Sequence, residues 1–284
     1  MNATASTAAG DLASTLRAHT FPSAGDRPAA GSAIILHGHG DHAARYESVV
    51  APLRQRGITC FGTDQPGHGA SPGRRGDIPG TDAIDAMVDR DLARADALDT
   101  GTKPILIGHS AGGLLAMREL LRHPDTYRAA WISSPLVWPE RTRHPVLVPV
   151  LLFLGRVLPK LQVGTGVTES MCRHDDQRDN DKASNPLFHS RIVLGWAGTL
   201  VTMARQVRRD FPARHPDIPI LVTQGDADPV CPVNHLREFL ATFEHPQLRY
   251  EEFKEVLHEP FADDHSEKVL NTVGNWLDNE VLNA

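Results

Sequence analysis

The chain has 284 residues, 40% hydrophobic and 23% charged, with a formal net charge of −6. That length sustains one large α/β core with an insertion, and the mixing of acids and bases without a basic block excludes the electrostatic footprint of a nucleic-acid binder. The three cysteines, Cys60, Cys172 and Cys231, form no C-x-x-C pair, so a disulfide framework is not expected and a reducing, cytoplasmic compartment is.

Met1 to Thr20 is rich in Ala, Ser and Thr, lacks an apolar core of signal-peptide length, and reads as a loose tail. Short apolar runs follow, and each reads as a strand: Ala33–Leu36, Thr59–Thr63, Pro104–Ile107, Ala129–Ile132, Ile218–Thr223 and Arg249–Phe253. Several are apolar on both faces, as buried parallel strands are. Between them lie helical patterns. Ile84, Met87, Val88, Leu92, Ala95 and Leu98 share one face, Leu114–Leu121 follows the third run, and Val269, Val273, Trp276 and Leu277 repeat the pattern near the end. Such alternation predicts an α/β fold with a mostly parallel sheet flanked by helices.

From about Leu136 to Asp210 that rhythm stops. The segment opens with the apolar run Val146–Leu154, interrupted by Pro149, passes through the polar run His174–Asp181, and ends in a helix predicted over Ile192–Val207. No strand is expected within it. Residues 136–210 therefore read as a helical cap, with 1–135 and 211–284 as the core. The apolar run falls short of the roughly 20 residues a membrane span needs. It is too apolar to face water fully, and is expected to form the mouth of an acyl-chain channel with transient membrane or micelle contact.

Chemistry enters at Gly108-His-Ser-Ala-Gly112, which sits between a strand and a helix, the context a G-x-S-x-G nucleophile turn requires. Ser110 then needs a base and an orienting acid in the order Ser, acid, His. The turn Gln224-Gly-Asp-Ala-Asp-Pro229 offers Asp226 or Asp228, and Val256-Leu-His-Glu-Pro260 offers His258. Both follow strands, at the sheet edge where open α/β sheets place their sites.

His37-Gly-His-Gly-Asp-His42 admits two readings. As H-x-H-x-D-H it matches the two-zinc metallo-β-lactamase pattern, whose clustered imidazoles bind metal. As H-G-x-G it is an oxyanion turn, with the main-chain amides of His39 and Ala111 as paired donors. The turn is preferred because Ser110, an acid and His258 occur in the order a serine mechanism needs. On this reading no metal and no cofactor is expected, although incidental metal binding by His37, His39 and His42 stays open.

Three motifs together resemble the monoacylglycerol lipase and lysophospholipase branch of the α/β-hydrolases: His37-Gly-His-Gly-Asp-His-Ala-Ala-Arg-Tyr46, Asp64-Gln-Pro-Gly-His-Gly-Ala-Ser-Pro-Gly73 and Gly108-His-Ser-Ala-Gly-Gly113. Ser134–Val137, Leu158–Leu161 and Asn185–Leu187 look like pieces of that branch's cap. The resemblance runs from about Ala33 to the C-terminus, and leaves room for one strand, Leu16–Phe21, ahead of it. It implies a Ser110, Asp228 and His258 triad, an oxyanion hole of His39 and Ala111, and a lipid ester as substrate. Cys231 falls where the mammalian lipase has a cysteine near its pocket; with Val230, Leu151 and Leu152 it is a candidate substrate contact. His39 is a departure, since relatives carry a small or apolar residue there.

Competing readings are a lysophospholipase, a general carboxylesterase, a proline iminopeptidase and a ligand receptor that does not turn over. Ala111 stands where iminopeptidases carry Trp, and Ser110 disfavours the epoxide hydrolases and dehalogenases, whose nucleophile is Asp.

Overall fold

The computed structural model describes residues 2–25, 28–141, 147–174, 186–262 and 265–283. Its strands are β1 (Ala18–Phe21), β2 (Gly31–Leu36), β3 (Ile58–Thr63), β4 (Ile105–His109), β5 (Ala129–Ser133), β6 (Gln162–Gly164), β7 (Arg191–Val193), β8 (Ile220–Gly225) and β9 (Leu248–Phe253). Its α-helices are α1 (Asn2–Thr15), α2 (Glu47–Arg54), α3 (Thr81–Asp96), α4 (Ala111–Arg122), α5 (Leu147–Val157), α6 (Glu169–Cys172), α7 (Leu194–Arg214), α8 (Val233–Leu240) and α9 (Ser266–Trp276).

Seven strands form one sheet in the order β1-β3-β2-β4-β5-β8-β9. Only the edge strand β1 runs antiparallel, paired with β3 from Ala18 opposite Thr63 to Phe21 opposite Cys60. The apolar runs are strands because both of their faces are covered, and alternate residues serve different cores. Ile34 and Leu36 of β2 pack with Met87 of α3, Leu114 of α4 and Trp196 of α7. Ala33 and Ile35 pack on the opposite face with Val50 of α2 and Trp276 of α9.

The N-terminal region departs from the loose tail expected. Asn2–Thr15 is a helix. Alanine carries the lowest cost of helix formation, and the segment is anchored at its end: Leu16 is buried in the core, and Arg90 donates to the carbonyls of Ala13 and Leu16.

Residues 136–210 also depart from the strandless reading. β6 and β7 pair as an antiparallel ladder, Gln162 opposite Val193. Three residues per strand carry too little periodicity to be read beforehand. The predicted helix Ile192–Val207 begins two residues later and extends to Arg214, where His215 takes an extended conformation before Pro216. Trp196, Leu200, Met203, Val207 and Phe211 of α7 belong to the main core, so this helix serves both the insertion and the sheet. Val146, the polar run from Asp175 to Asp181, and Asn185 lie outside the described residues.

A close backbone approach lies behind the serine turn. A Cβ on Gly112 would stand 2.0 Å from the Leu36 carbonyl oxygen, and one on Gly108 would stand 2.4 Å from that of Gly112. Helix α4 can lie against β2 and β4 only because these residues lack side chains. Gly112→Ala is expected to destabilise the fold by about 1–3 kcal/mol through forced backbone movement. Urea denaturation checks this: the midpoint should fall with an unchanged slope.

Candidate active site

Three strand ends on the same edge of the sheet supply the site. Ser110 follows β4 and starts α4, in a left-handed conformation with φ 56° and ψ −119°. A residue with a side chain is held there only by its surroundings. The Ser110 amide donates to the Ser133 carbonyl at the end of β5 at 2.9 Å, and its carbonyl accepts from Leu114 and Leu136. The strain lifts the hydroxyl clear of the turn.

The Ser110 hydroxyl donates to His258 Nε2 at 2.9 Å. On the other side of the ring, His258 Nδ1–H donates to Asp228 Oδ2 at 2.8 Å. Asp228 follows β8 and is itself fixed. Its Oδ1 accepts the amides of Val230 and Cys231 at 2.8 and 2.9 Å, and its Oδ2 accepts the Gln224 side-chain amide at 2.8 Å. Asp226 goes elsewhere: exposed, it accepts the amide of Glu255, a residue at φ 63°.

Burial alone would lower the basicity of His258. The Asp228 carboxylate, its hydrogen bond and Glu259 outweigh that and raise the imidazole above its usual value. Next to it, His109 is pushed well below, first by burial and then by His258. The two rings, 4.8 Å apart, are thereby shifted in opposite directions, His258 toward the protonated form and His109 toward the neutral one.

The main-chain amides of His39 and Ala111 flank the serine, and neither has a hydrogen-bond acceptor among the described residues. Ala111 is the first residue of α4, where helix amides are free and the dipole favours negative charge. The glycine of the H-G-x-G turn is fixed by Tyr46, whose hydroxyl accepts the Gly38 amide at 3.1 Å.

The zinc reading of His37–His42 finds no converging ligands. His37 donates from Nδ1 to the Gly38 carbonyl and accepts the Gln65 amide at Nε2. His39 donates from Nε2 to the Arg191 carbonyl. Among the described residues, no three His, Cys, Asp or Glu side chains form a set able to hold a metal.

A cavity of about 300 Å³ opens beside the serine. Leu151, Leu152 and Val230 line it, as expected for substrate contacts, together with Val148, Leu194 and Val201. Cys231 is not among the lining residues, but its buried thiol reaches the Ser110 side chain while its amide goes to Asp228. At the polar end stand Asp41, His109 and Glu259. Arg45 bridges Asp41 and Glu259 at 2.9 and 3.0 Å, and Asp41 above all holds its guanidinium in the charged form.

Sequence reasoning missed Gln224 as a support of Asp228. The signal was present, because the residue ends a buried strand four positions before the acid. It also missed the Asp41–Arg45–Glu259 bridge, in which Arg45 and Glu259 are 214 positions apart.

The site lies within a stretch shared with known proteins. The serine aminopeptidase S33 family matches residues 27–265. A monoacylglycerol lipase of Mycolicibacterium smegmatis is 28% identical over 249 residues, covering 87% of this chain and 88% of its own. The human monoglyceride lipase is 27% identical over 260 residues, covering 88% and 83%. Among solved structures, the monoacylglycerol lipase of Paleococcus ferrophilus superposes with a TM-score of 0.80 at 27% identity, covering 92% of this chain and 98% of that one. With an elbow serine, a mostly parallel sheet and a family match over most of its length, the chain belongs to the serine aminopeptidase S33 family of α/β-hydrolases.

Proposed function

We propose that the protein is a serine ester hydrolase acting on monoacylglycerols, with Ser110 as nucleophile, His258 as base and Asp228 as its orienting acid. The hydrogen-bonded line Asp228–His258–Ser110, opening on an apolar cavity, is the observation that carries this reading. His258 takes the hydroxyl proton as Ser110 attacks the ester carbonyl. The amides of His39 and Ala111 hold the oxyanion, each contributing about 3 kcal/mol to the transition state. His258 then protonates the leaving alcohol, and water repeats the sequence on the acyl-enzyme. The names of the similar proteins support the monoacylglycerol as substrate. So does the cavity: the acyl chain lies along the leucines, where each buried CH₂ is worth about 0.8 kcal/mol, while Asp41 and Glu259 at the other end suit an alcohol that still carries hydroxyl groups.

We read residues 136–210 as the cap, and α5 as its two-sided element. Val148, Leu151 and Leu152, at steps of three and four, face the cavity. Val150, Phe153 and Val157, on a second stripe, are 55%, 65% and 64% exposed. An exposed apolar stripe beside a substrate channel suits contact with a lipid surface, and no helix among the described residues is long and apolar enough to cross a membrane. The surface contact therefore belongs to Phe153 and its neighbours, and the channel to Leu151 and Leu152.

Ser110→Ala should lower kcat on a long-chain monoacylglycerol by about a million-fold without changing the melting temperature appreciably; steady-state kinetics and calorimetry check both. A variant retaining a percent of the activity would overturn the assignment.

The pH profile follows from His258. Only the neutral ring is a base, and its pKa is raised from 6.5. The acid limb of kcat/KM should therefore have its midpoint above about 6.5, with activity lost as pH falls through it. A flat profile from pH 5 to about 8 would count against a histidine base.

The two stripes of α5 separate by experiment. Phe153→Ser with Val157→Ser should weaken sedimentation with lipid vesicles and leave hydrolysis of a short soluble ester unchanged. Leu151→Ser with Leu152→Ser should raise KM for long-chain esters more than for acetates. If both pairs behave alike, the division between surface and channel fails.

A further inference from the structure

The ring of His39 takes no part in the reaction above, yet its N–H is committed. Nε2–H donates to the main-chain carbonyl of Arg191, in cap strand β7, at 2.9 Å. His68 Nδ1–H donates to the Pro66 carbonyl at 3.0 Å, so the two facing nitrogens, His39 Nδ1 and His68 Nε2 at 3.3 Å, are both unprotonated and make a ring contact without a shared proton. The ring stands edge-on between those of His68 and His189, with centroids at 4.8 and 5.8 Å.

The backbone makes a second tie at the same place. The Gly40 carbonyl accepts the His189 amide at 2.9 Å. Gly40 has φ +83°, and a Cβ on it would stand 2.1 Å from the His189 carbonyl oxygen, so turn and cap segment touch with no side chain between them. β7 is also fastened to the core, through the Val193 amide on the Gly76 carbonyl at 3.2 Å. Burial, more than any neighbouring charge, lowers His39 and His189 to about 4. Both rings are therefore neutral at neutral pH, and the bond to Arg191 persists there.

We infer that the His39 imidazole is a positioning group: by tying its own turn to cap strand β7, it sets the aim of the His39 main-chain amide at the oxyanion. The inference rests on the oxyanion role proposed above. Its consequence is coupling. Ile192 and Leu194, at and just after β7, line the cavity, so a chain seated against them steadies the turn that carries the transition-state donor. Binding remote from the reacting carbon then appears in kcat. The amide itself survives any substitution of His39, so loss of the ring tests aim and not presence.

The test compares His39→Ala, His39→Leu and His39→Gln in the full chain. Leucine keeps bulk without the donor; glutamine places a side-chain N–H within reach of the Arg191 carbonyl. The expected result is a loss of about tenfold or more in kcat for Ala and Leu, smaller than loss of a whole donor, with KM within about threefold. Glutamine should restore most of kcat, and hydrogen exchange at the His189 and Val193 amides should quicken in Ala and Leu only. Labelling of Ser110 by a fluorophosphonate in the wild type separates the two levels. If Ser110 is not labelled, the site reading itself falls. If it is labelled but Leu and Ala keep wild-type kcat and exchange, or Gln is as impaired as Leu, the latch is overturned while the nucleophile stands. Should Ala fail to fold, the comparison of Leu with Gln decides alone.

Discussion

The arrangement depends on one buried carboxylate held in place. Asp228 can orient His258 only if its own two oxygens cannot turn, and three donors prevent that: the amides of Val230 and Cys231 on Oδ1 and Gln224 on Oδ2. These donors leave one direction for His258, and the ring then has its Nε2 facing Ser110. Charge-assisted hydrogen bonds of this kind gain strength from the burial of Asp228 and His258. Ser110 is aligned from the other side by strain, since φ 56° is tolerable only while β5 and α4 hold its amide and carbonyl. The parallel sheet brings the two together by ending β4, β8 and β9 at one edge.

Around that line, polarity is sorted by distance from the serine. The Asp41–Arg45–Glu259 bridge closes the polar end, with Arg45 paired to both carboxylates. The apolar end is built from α5 and α7, which approach closely at Gly155, where a Cβ would stand 2.9 Å from the Leu194 carbonyl oxygen. Cavity-lining and exposed apolar residues are thus opposite stripes of a single helix.

Much of this was legible in the sequence because it is local or periodic. The buried strands announce themselves by runs apolar on both faces, and Ser110 by a turn between a strand and a helix. The order of Ser110, Asp228 and His258 follows from which strand each residue ends. What stayed hidden depends on contacts between distant segments. The Ala-rich α1 looked like a tail because only its docking onto the core, through Leu16 and Arg90, distinguishes it from one. β6 and β7 are three residues each and exist by pairing with one another. Cys231 could be placed near the site, but not its main-chain support of Asp228, which exists only once the turn has folded. The ring contacts of His39 belong to the same class: its carbonyl partner lies 152 positions away.

The most direct measurement of the central claim compares kcat/KM for Asp228→Asn and Asp226→Asn on one soluble ester. The account predicts a loss of about three to four orders of magnitude for Asp228→Asn, because an amide can neither stabilise the imidazolium nor enforce the tautomer, and a change of only about a few-fold for Asp226→Asn, which touches the Glu255 amide and not His258. A crippled Asp226→Asn beside a nearly wild-type Asp228→Asn would contradict it.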